Sequence, residues 1–256
     1  MLAAVVLTKN EAARIAECIS SLGWCDRVVL SDSYSDDGTV SMAREAGAEV
    51  IQRAFDNFAS QRNAALECVD ADWIFFVDAD ERATPELGIE VRQAIGTDVN
   101  AGWWVPRHNY IAGKLMHYGG YYPDYQMRLL RRGRARYDPA RPVHEVVILD
   151  GEAGFLRQPL IHYNYDDWAQ VHDKQRRYAL LEAQRLQAAG IQPRPHKFVT
   201  QPAREFYRRM ITLRGYRDGP SGWRLYALLA YYYGFVPYQH LRRLWREENT
   251  TTRGAS

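Results

Sequence analysis

Cysteine is scarce. Cys18, Cys25 and Cys68 are the only three in 256 residues, and no two stand at a Cys-x-x-Cys spacing. So few thiols exclude a disulfide scaffold and a zinc site, leaving structural cysteines in a reducing compartment. Charge of one sign is also lacking: the net charge of +2 gives no ground for nucleic-acid binding, and none is expected. Neither Gly-x-x-x-x-Gly-Lys-Ser/Thr nor Gly-x-Gly-x-x-Gly occurs, which argues against a P-loop NTPase and a dinucleotide oxidoreductase. Met1 to Leu7 is apolar but has no basic flank and meets Lys9 and Glu11 too soon for a signal peptide, so a cytoplasmic protein is expected. No internal repeat is visible, and the Thr/Gly/Ser tail 249–256 reads as disordered.

What is present is an acidic strand end. Trp73-Ile74-Phe75-Phe76-Val77 is too short for a typical helix and stops at Asp78-Ala79-Asp80-Glu81, which reads as a buried strand bringing carboxylates to the edge of a sheet. In open α/β sheets that edge is the ligand crevice. Asp78 and Asp80, separated by a small alanine, suit Mg²⁺ or Mn²⁺ carrying a diphosphate; a solvated acidic turn is the alternative. Arg27 to Ser31 is a second such strand, ending at Asp32-Ser33-Tyr34-Ser35-Asp36-Asp37-Gly38-Thr39. Helix capping accounts for Ser35, Asp36 or Asp37 but not for Asp32, whose place at the strand end suits a ribose hydroxyl or base N–H. Ala3 to Leu7, closing on Thr8-Lys9-Asn10-Glu11, is a third. With helical segments between them, these strands predict a mostly parallel α/β sheet.

Thr8-Lys9-Asn10-Glu11, Asp32 to Thr39, Gln61-Arg62-Asn63-Ala64-Ala65 and Asp78-Ala79-Asp80-Glu81 together resemble the inverting family 2 glycosyltransferases of GT-A fold. The nearest likeness is to the bacterial branch that adds a hexose, often glucose, to the heptose region of the lipopolysaccharide inner core. Tyr122 to Arg132 and Arg141-Pro142-Val143-His144-Glu145 resemble that branch's acceptor-side motifs, so the likeness runs from about Ala3 to Tyr165. It implies a nucleotide diphosphosugar donor, UDP-glucose foremost, held by Thr8, Asn10, Glu11, Asp32, Ser33, Gln61, Arg62, Asn63, Asp78 and Ala79. A divalent cation would rest on Asp80 and Asp78, and the acceptor would be a lipid-linked saccharide.

Asp124, Gln126 and Arg128 alternate with Tyr125 and Met127, so they share one strand face. Asp124 there can be the general base, with Arg128 or Arg131 near the diphosphate. The resembled family has a carboxylate at about this point as base; Glu145 is the competitor, and His144 a further metal or phosphate ligand. His108, His117, His162 and His172 show no zinc spacing and carry no assignment. A nucleotidyltransferase and a non-catalytic sugar-binding module are the alternatives in function. The first would show a Gly-rich basic loop after the first strand, and the second would not need Asp78, Asp80 and Asp124 together.

Length and composition, 46% hydrophobic and 25% charged, fit one catalytic domain with an appendage. The expected division is a GT-A domain, 1–165, with a nucleotide-sugar half 1–100 and an acceptor half 101–165, then a helical region 166–248 and the tail. From Arg204 to Arg246 nine arginines face only Glu205 and Asp218. The run Leu225 to Val236 between them is short of the roughly 20 apolar residues of a spanning helix. Arginine around apolar, Tyr-rich surface suits peripheral contact with an anionic inner membrane; a helix packed on the catalytic domain is the alternative.

Overall fold

The computed structural model describes residues 1–97, 99–139 and 146–254, the last seven as backbone alone. The chain alternates β1 (Leu2–Thr8), α1 (Ala12–Ser20), β2 (Arg27–Asp32), α2 (Thr39–Glu45), β3 (Glu49–Gln52), α3 (Phe58–Cys68) and β4 (Trp73–Asp78). Next come β5 (Glu81–Ala83), α4 (Pro85–Ile95), β6 (Asn100–Ile111), β7 (Lys114–Met116), β8 (Asp124–Arg131), β9 (Ala135–Tyr137), β10 (Val147–Leu149), β11 (Glu152–Phe155) and β12 (Leu160–Tyr165). Helices close it: α5 (Trp168–Ala188), α6 (Lys197–Tyr207), α7 (Gly219–Ala230) and α8 (Val236–Gly254).

β1 is apolar throughout because both its faces are covered. Leu2, Ala4 and Val6 join Ile15, Cys18 and Ile19 of α1 and Leu87 and Val91 of α4; Ala3 and Val5 join Ala59, Ala65 and Leu66 of α3. Local chemistry sets the helix starts. The Asn57 side chain accepts from the Ser60 N–H at 2.9 Å, Thr84 does the same for Leu87 at 3.2 Å with Pro85 following it, and Asp167 caps α5 through Gln170 at 2.8 Å. Gly47, with φ of 89°, follows α2 in the left-handed region that a side chain disfavours.

The strand order is β3-β2-β1-β4-β8-β6-β12-β5. The first four are parallel, as the βαβ pattern predicts, and β8 and β6 continue the sheet antiparallel. A parallel half extended by antiparallel strands is the GT-A arrangement. β9 and β10 form a separate two-stranded ladder.

Two compact units result: residues 1–108 with 124–163, and residues 109–123 with 164 onward. The expected acceptor half, 101–165, is therefore divided, its 109–123 segment grouping with the helices. The second unit is organised around Tyr226, which is fully buried and donates to the Tyr118 carbonyl at 2.8 Å and to Asp218. Its ring takes the space a side chain would need at Gly119 and Gly215, where a Cβ would lie 2.1 and 2.5 Å from ring atoms. The Leu225–Val236 run turns inward: Leu225, Tyr226, Leu229, Ala230, Tyr232 and Val236 are all buried. Among the described residues no helix is long and apolar enough to cross a membrane.

The three cysteines are unpaired, Cys18 buried and Cys68 exposed. Burial pushes the Cys18 and Cys25 thiols up to about 12, leaving almost no thiolate near neutrality. Native protein at about pH 8 should react with a thiol reagent at Cys68 alone, and at all three positions only after denaturation. Cys68→Ser should abolish the native reaction; a persisting fast phase would show that Cys18 or Cys25 is accessible.

Candidate active site

Sheet register gathers the acidic strand ends. Leu7 lies opposite Asp78, Thr8 opposite Asp32, and Asp32 opposite Gln52, so β1, β2 and β4 end along one edge. Beside β4, the antiparallel β8 and β6 bring Arg128, Gln126, Asp124 and Arg107 to the same place.

These side chains form a continuous charged chain. Asp78 accepts from Arg62 Nη2 at 3.2 Å through Oδ1 and from Arg128 Nη2 through Oδ2. The same Arg128 nitrogen donates to Glu81 Oε1 at 2.6 Å, and Glu81 Oε2 accepts from the Asp78 backbone N–H at 2.9 Å. Arg107 Nη1 reaches Glu81 at 3.3 Å, while its Nη2 and Nε donate to Asp124 Oδ2 at 2.6 and 2.9 Å. Gln126 donates to Asp124 Oδ1 at 2.9 Å, so the shared strand face read from the sequence is present.

Burial divides the chain into a floor and a mouth. The side chains of Glu81, Arg128 and Arg62 are 0%, 5% and 9% exposed, whereas Asp78, Asp80 and Asp124 are 33%, 26% and 25% exposed. Burial works to raise the Asp78 carboxyl, but Arg128 and Arg62 outweigh it and hold the group well below the usual carboxylate range. Burial likewise opposes charge on Arg128, and Asp78 and Glu81 more than restore it. The Arg62 guanidinium also lies 5.9 Å from the Phe76 ring centre and 5.5 Å from that of Tyr137, an arrangement that suits a planar cation. Asp80 Oδ2 stands 3.4 Å from His162 Nε2.

At the β2 end, Asp32 is wholly buried. It accepts from the Ser35 N–H and the Gln52 amide, both at 2.9 Å, and from the Ser35 hydroxyl. Three of the roughly four acceptor positions of a carboxylate are thus filled. Gln61 donates to the Ser33 hydroxyl at 3.0 Å and the Arg53 carbonyl at 3.2 Å. Its Oε1, like Thr8 Oγ1, is buried without a hydrogen-bond partner, an arrangement that costs about 1–3 kcal/mol unless a ligand supplies the bond. Asn10, at φ 57°, donates its N–H to Ser35 Oγ and accepts from the Asp36 N–H, and the Glu11 N–H donates to Thr39. Asn10 and Glu11 thereby tie the loop after β1 to the loop after β2.

The structure places some of the sequence-derived candidates elsewhere. Asn63 is not at the strand edge: its amide donates to the Tyr137 carbonyl at 3.0 Å and accepts from the Tyr137 N–H at 2.8 Å, tying α3 to β9. Arg131 pairs in register with Trp73, the first residue of β4, five residues or roughly 16 Å from Asp78. Its guanidinium lies 6.0 Å from the Trp73 ring centre, so an antiparallel register takes it away from any diphosphate held by Arg128. Asp78 has both oxygens on arginines, which makes it an anchor for cations of the chain itself. Ala79 is buried and serves as a spacer. His144 and Glu145 lie outside the described residues. Glu81 was read only as part of the acidic strand end, and Arg107 and His162 carried no assignment, because each acquires its neighbours through β5, β6 and β12, elements distant in sequence or short.

Among the described residues no group of three or more His, Cys, Asp or Glu could hold a metal ion. Asp80 and His162 offer a hard oxygen and an imidazole nitrogen at one side. That donor set fits a cation of the kind that takes one or two protein ligands and completes its shell with substrate phosphates.

The parallel α/β half with acidic strand ends, extended by antiparallel strands carrying a carboxylate and arginines, defines a glycosyltransferase of GT-A type. The glycosyl transferase family 2 model matches residues 3–163, and the chain belongs to that family. The lipopolysaccharide core biosynthesis glycosyltransferase LpsC of Rhizobium meliloti (strain 1021) is 32% identical over 249 residues, 92% of this chain and 89% of LpsC. An uncharacterized glycosyltransferase of Rickettsia felis is 41% identical over 91 residues, 35% of this chain and 32% of that protein. S. aureus TarS 1–349, solved in complex with UDP-GlcNAc, overlaps 43% of this chain and 35% of its own at 21% identity, with a TM-score of 0.39. Membership of the family decides against a nucleotidyltransferase.

Asn63→Ala should lower stability by about 1–3 kcal/mol, because two backbone groups lose their partners, while calorimetry finds nucleotide affinity unchanged. Weaker nucleotide binding without destabilisation would return Asn63 to the ligand.

Proposed function

We propose that the protein is an inverting hexosyltransferase that moves a sugar, glucose from UDP-glucose in the reading favoured here, to a hydroxyl of a lipid-linked saccharide such as the lipopolysaccharide inner core. The reading of the acceptor rests on the likeness to LpsC along nine tenths of the chain. The observation that carries the chemistry is the pair Arg62 and Arg128, a buried cationic floor beneath three carboxylates that reach solvent.

The orphaned Thr8 Oγ1 and Gln61 Oε1, beside Asp32 and Ser33, are the groups that would meet the nucleoside, and Asp32 has one acceptor position left for it. Arg62 and Arg128 would turn from Asp78 toward the departing diphosphate, a charge-assisted contact that strengthens as the glycosidic bond breaks. Asp80, with His162, would hold a Mg²⁺ or Mn²⁺ ion, whose chemistry is to offset the charge of that leaving group. The acceptor oxygen bonds to the anomeric carbon as the bond from that carbon to the diphosphate oxygen breaks, and the acceptor proton passes to a carboxylate. Asp124 is that base in this reading, with Arg107 and Gln126 fixing its plane.

Asp124→Asn should retain donor binding and lose transfer, since an amide keeps the shape but takes no proton. If Glu145→Gln behaves so and Asp124→Asn does not, the two roles exchange. Asp80→Ala should abolish transfer and metal-dependent nucleotide binding; turnover at the wild-type rate would reduce the motif to an acidic turn.

Arg128→Gln should weaken both donor binding and turnover, and breaking its buried pairs should cost roughly 3–5 kcal/mol of stability. Arg131→Gln should leave kcat and the donor KM within about two-fold, as expected of a surface substitution. Equal losses of activity in the two variants would contradict the assignment of Arg128, and not Arg131, to the diphosphate.

A further inference from the structure

The helical unit carries an exposed surface that the catalytic reading does not use. Helix α6 has no buried residue. On one side Phe198 packs against Phe235 and Tyr238, with ring centres 5.7 and 6.3 Å apart. On the other, Val199, Ala203 and Tyr207 recur every four residues, and the π turn Arg208–Thr212 continues the stripe to Ile211. Val199, Tyr207 and Ile211 are 72%, 62% and 53% exposed. Trp223, at the start of α7, is 52% exposed and lies 6.1 Å from Phe206, the neighbour of Tyr207, so the stripe continues onto α7.

Charge surrounds this apolar strip. Lys197 to Arg224 contains seven basic residues, Lys197, Arg204, Arg208, Arg209, Arg214, Arg217 and Arg224, against Glu205 and Asp218. Both acids are engaged within the unit: Glu205 accepts from Arg208 and Arg209, and Asp218 from the backbone of His117 and Tyr118 and from Tyr226. Arg204, Arg214, Arg217 and Arg224 are exposed. The Arg224 guanidinium lies 4.1 Å from the centre of the Trp168 ring, and that of Arg217 lies 5.6 and 6.0 Å from the ring centres of Tyr118 and Tyr216, so both charges rest on aromatic faces.

We propose that this face, formed by α6, the Arg208–Thr212 turn and the start of α7, docks the protein on an anionic lipid bilayer. The inference deepens the reading of a lipid-linked acceptor and rests on it. Exposed Trp and Tyr seat at the headgroup boundary, and a surplus of arginine around them complements anionic headgroups. Within the Leu225–Val236 run, the more apolar stretch by sequence, Leu225, Tyr226, Leu229, Ala230, Tyr232 and Val236 are packed inward, while Tyr231 and Tyr233 are exposed.

Flotation of the full chain tests this, with phosphatidylglycerol/phosphatidylethanolamine vesicles against pure phosphatidylcholine ones at low and high salt. The protein should float with the anionic vesicles only, and less as salt screens the surface. A Tyr207→Ala, Ile211→Ser and Trp223→Ala variant should keep its melting temperature within a few degrees and lose at least ten-fold in partitioning. Arg204→Gln with Arg214→Gln should lose several-fold, up to about five-fold per charge. Replacing Arg242, Arg243 and Arg246 of α8 by Gln should change partitioning less than two-fold. A wild-type chain that never floats overturns the proposal, as does an α8 variant that loses as much as the α6–α7 variants, or a patch variant that changes only oligomeric state. Transfer to a delipidated acceptor saccharide, measured in parallel, should be unchanged in the patch variants. Its absence in the wild type would fail the functional reading while leaving the docking result to stand by itself.

Discussion

Arg128 makes the interaction on which the edge of acidic strand ends depends. One guanidinium nitrogen serves Asp78 at the end of β4 and Glu81 of β5, and so joins the last parallel strand to its antiparallel neighbour through charge as well as backbone. Burying a guanidinium is costly unless its partners are fixed, and loss of one partner leaves an uncompensated charge. Glu81, fully enclosed, is committed on every side, to Arg128, to Arg107 and to the Asp78 backbone. The solvent-reaching carboxylates therefore sit on a scaffold that cannot relax independently at any one residue. Asp78, Glu81 and Asp124 pair with Arg62, Arg107 and Arg128, and Asp80 adds a fourth carboxylate beside His162.

The helical unit solves a different problem with the same residue types. Tyr226 fills the space left by Gly119 and Gly215 and satisfies its hydroxyl on Tyr118 and Asp218. Tyr207 and Trp223 meet water. An aromatic ring with a polar tip suits either setting, because its hydroxyl or indole N–H needs a partner and that partner can be a buried carbonyl or the wet side of an interface. Composition alone does not separate the two, and the segment of highest apolar content proved to be the inner one.

Legibility differed sharply along the chain. The strand ends at Thr8, Asp32 and Asp78 could be read because each follows an apolar run, and a parallel βαβ unit leaves few choices for where that run can end. Asp124, Gln126 and Arg128 were legible from period-two spacing. Asn63, in the middle of Gln61-Arg62-Asn63, was misread since a helix sends successive side chains in different directions: Gln61 to the Ser33 loop, Arg62 to Asp78 and Asn63 to β9. Arg131 was misread because its likeness to Arg128 is chemical, and only the pairing with Trp73 reveals that it lies at the other end of β4.

By itself the sequence determined the α/β alternation, the strands that end in carboxylates and the family to which the chain belongs, since these follow from local periodicity and short motifs. Tertiary structure decided the partners. It put Arg62 and Arg128 on Asp78, His162 beside Asp80 and Arg107 on Asp124, and it chose which tyrosines are core and which are surface. Those outcomes depend on strand order, antiparallel register and the close approach of elements up to a hundred residues apart, and a single chain read in order carries no local record of them.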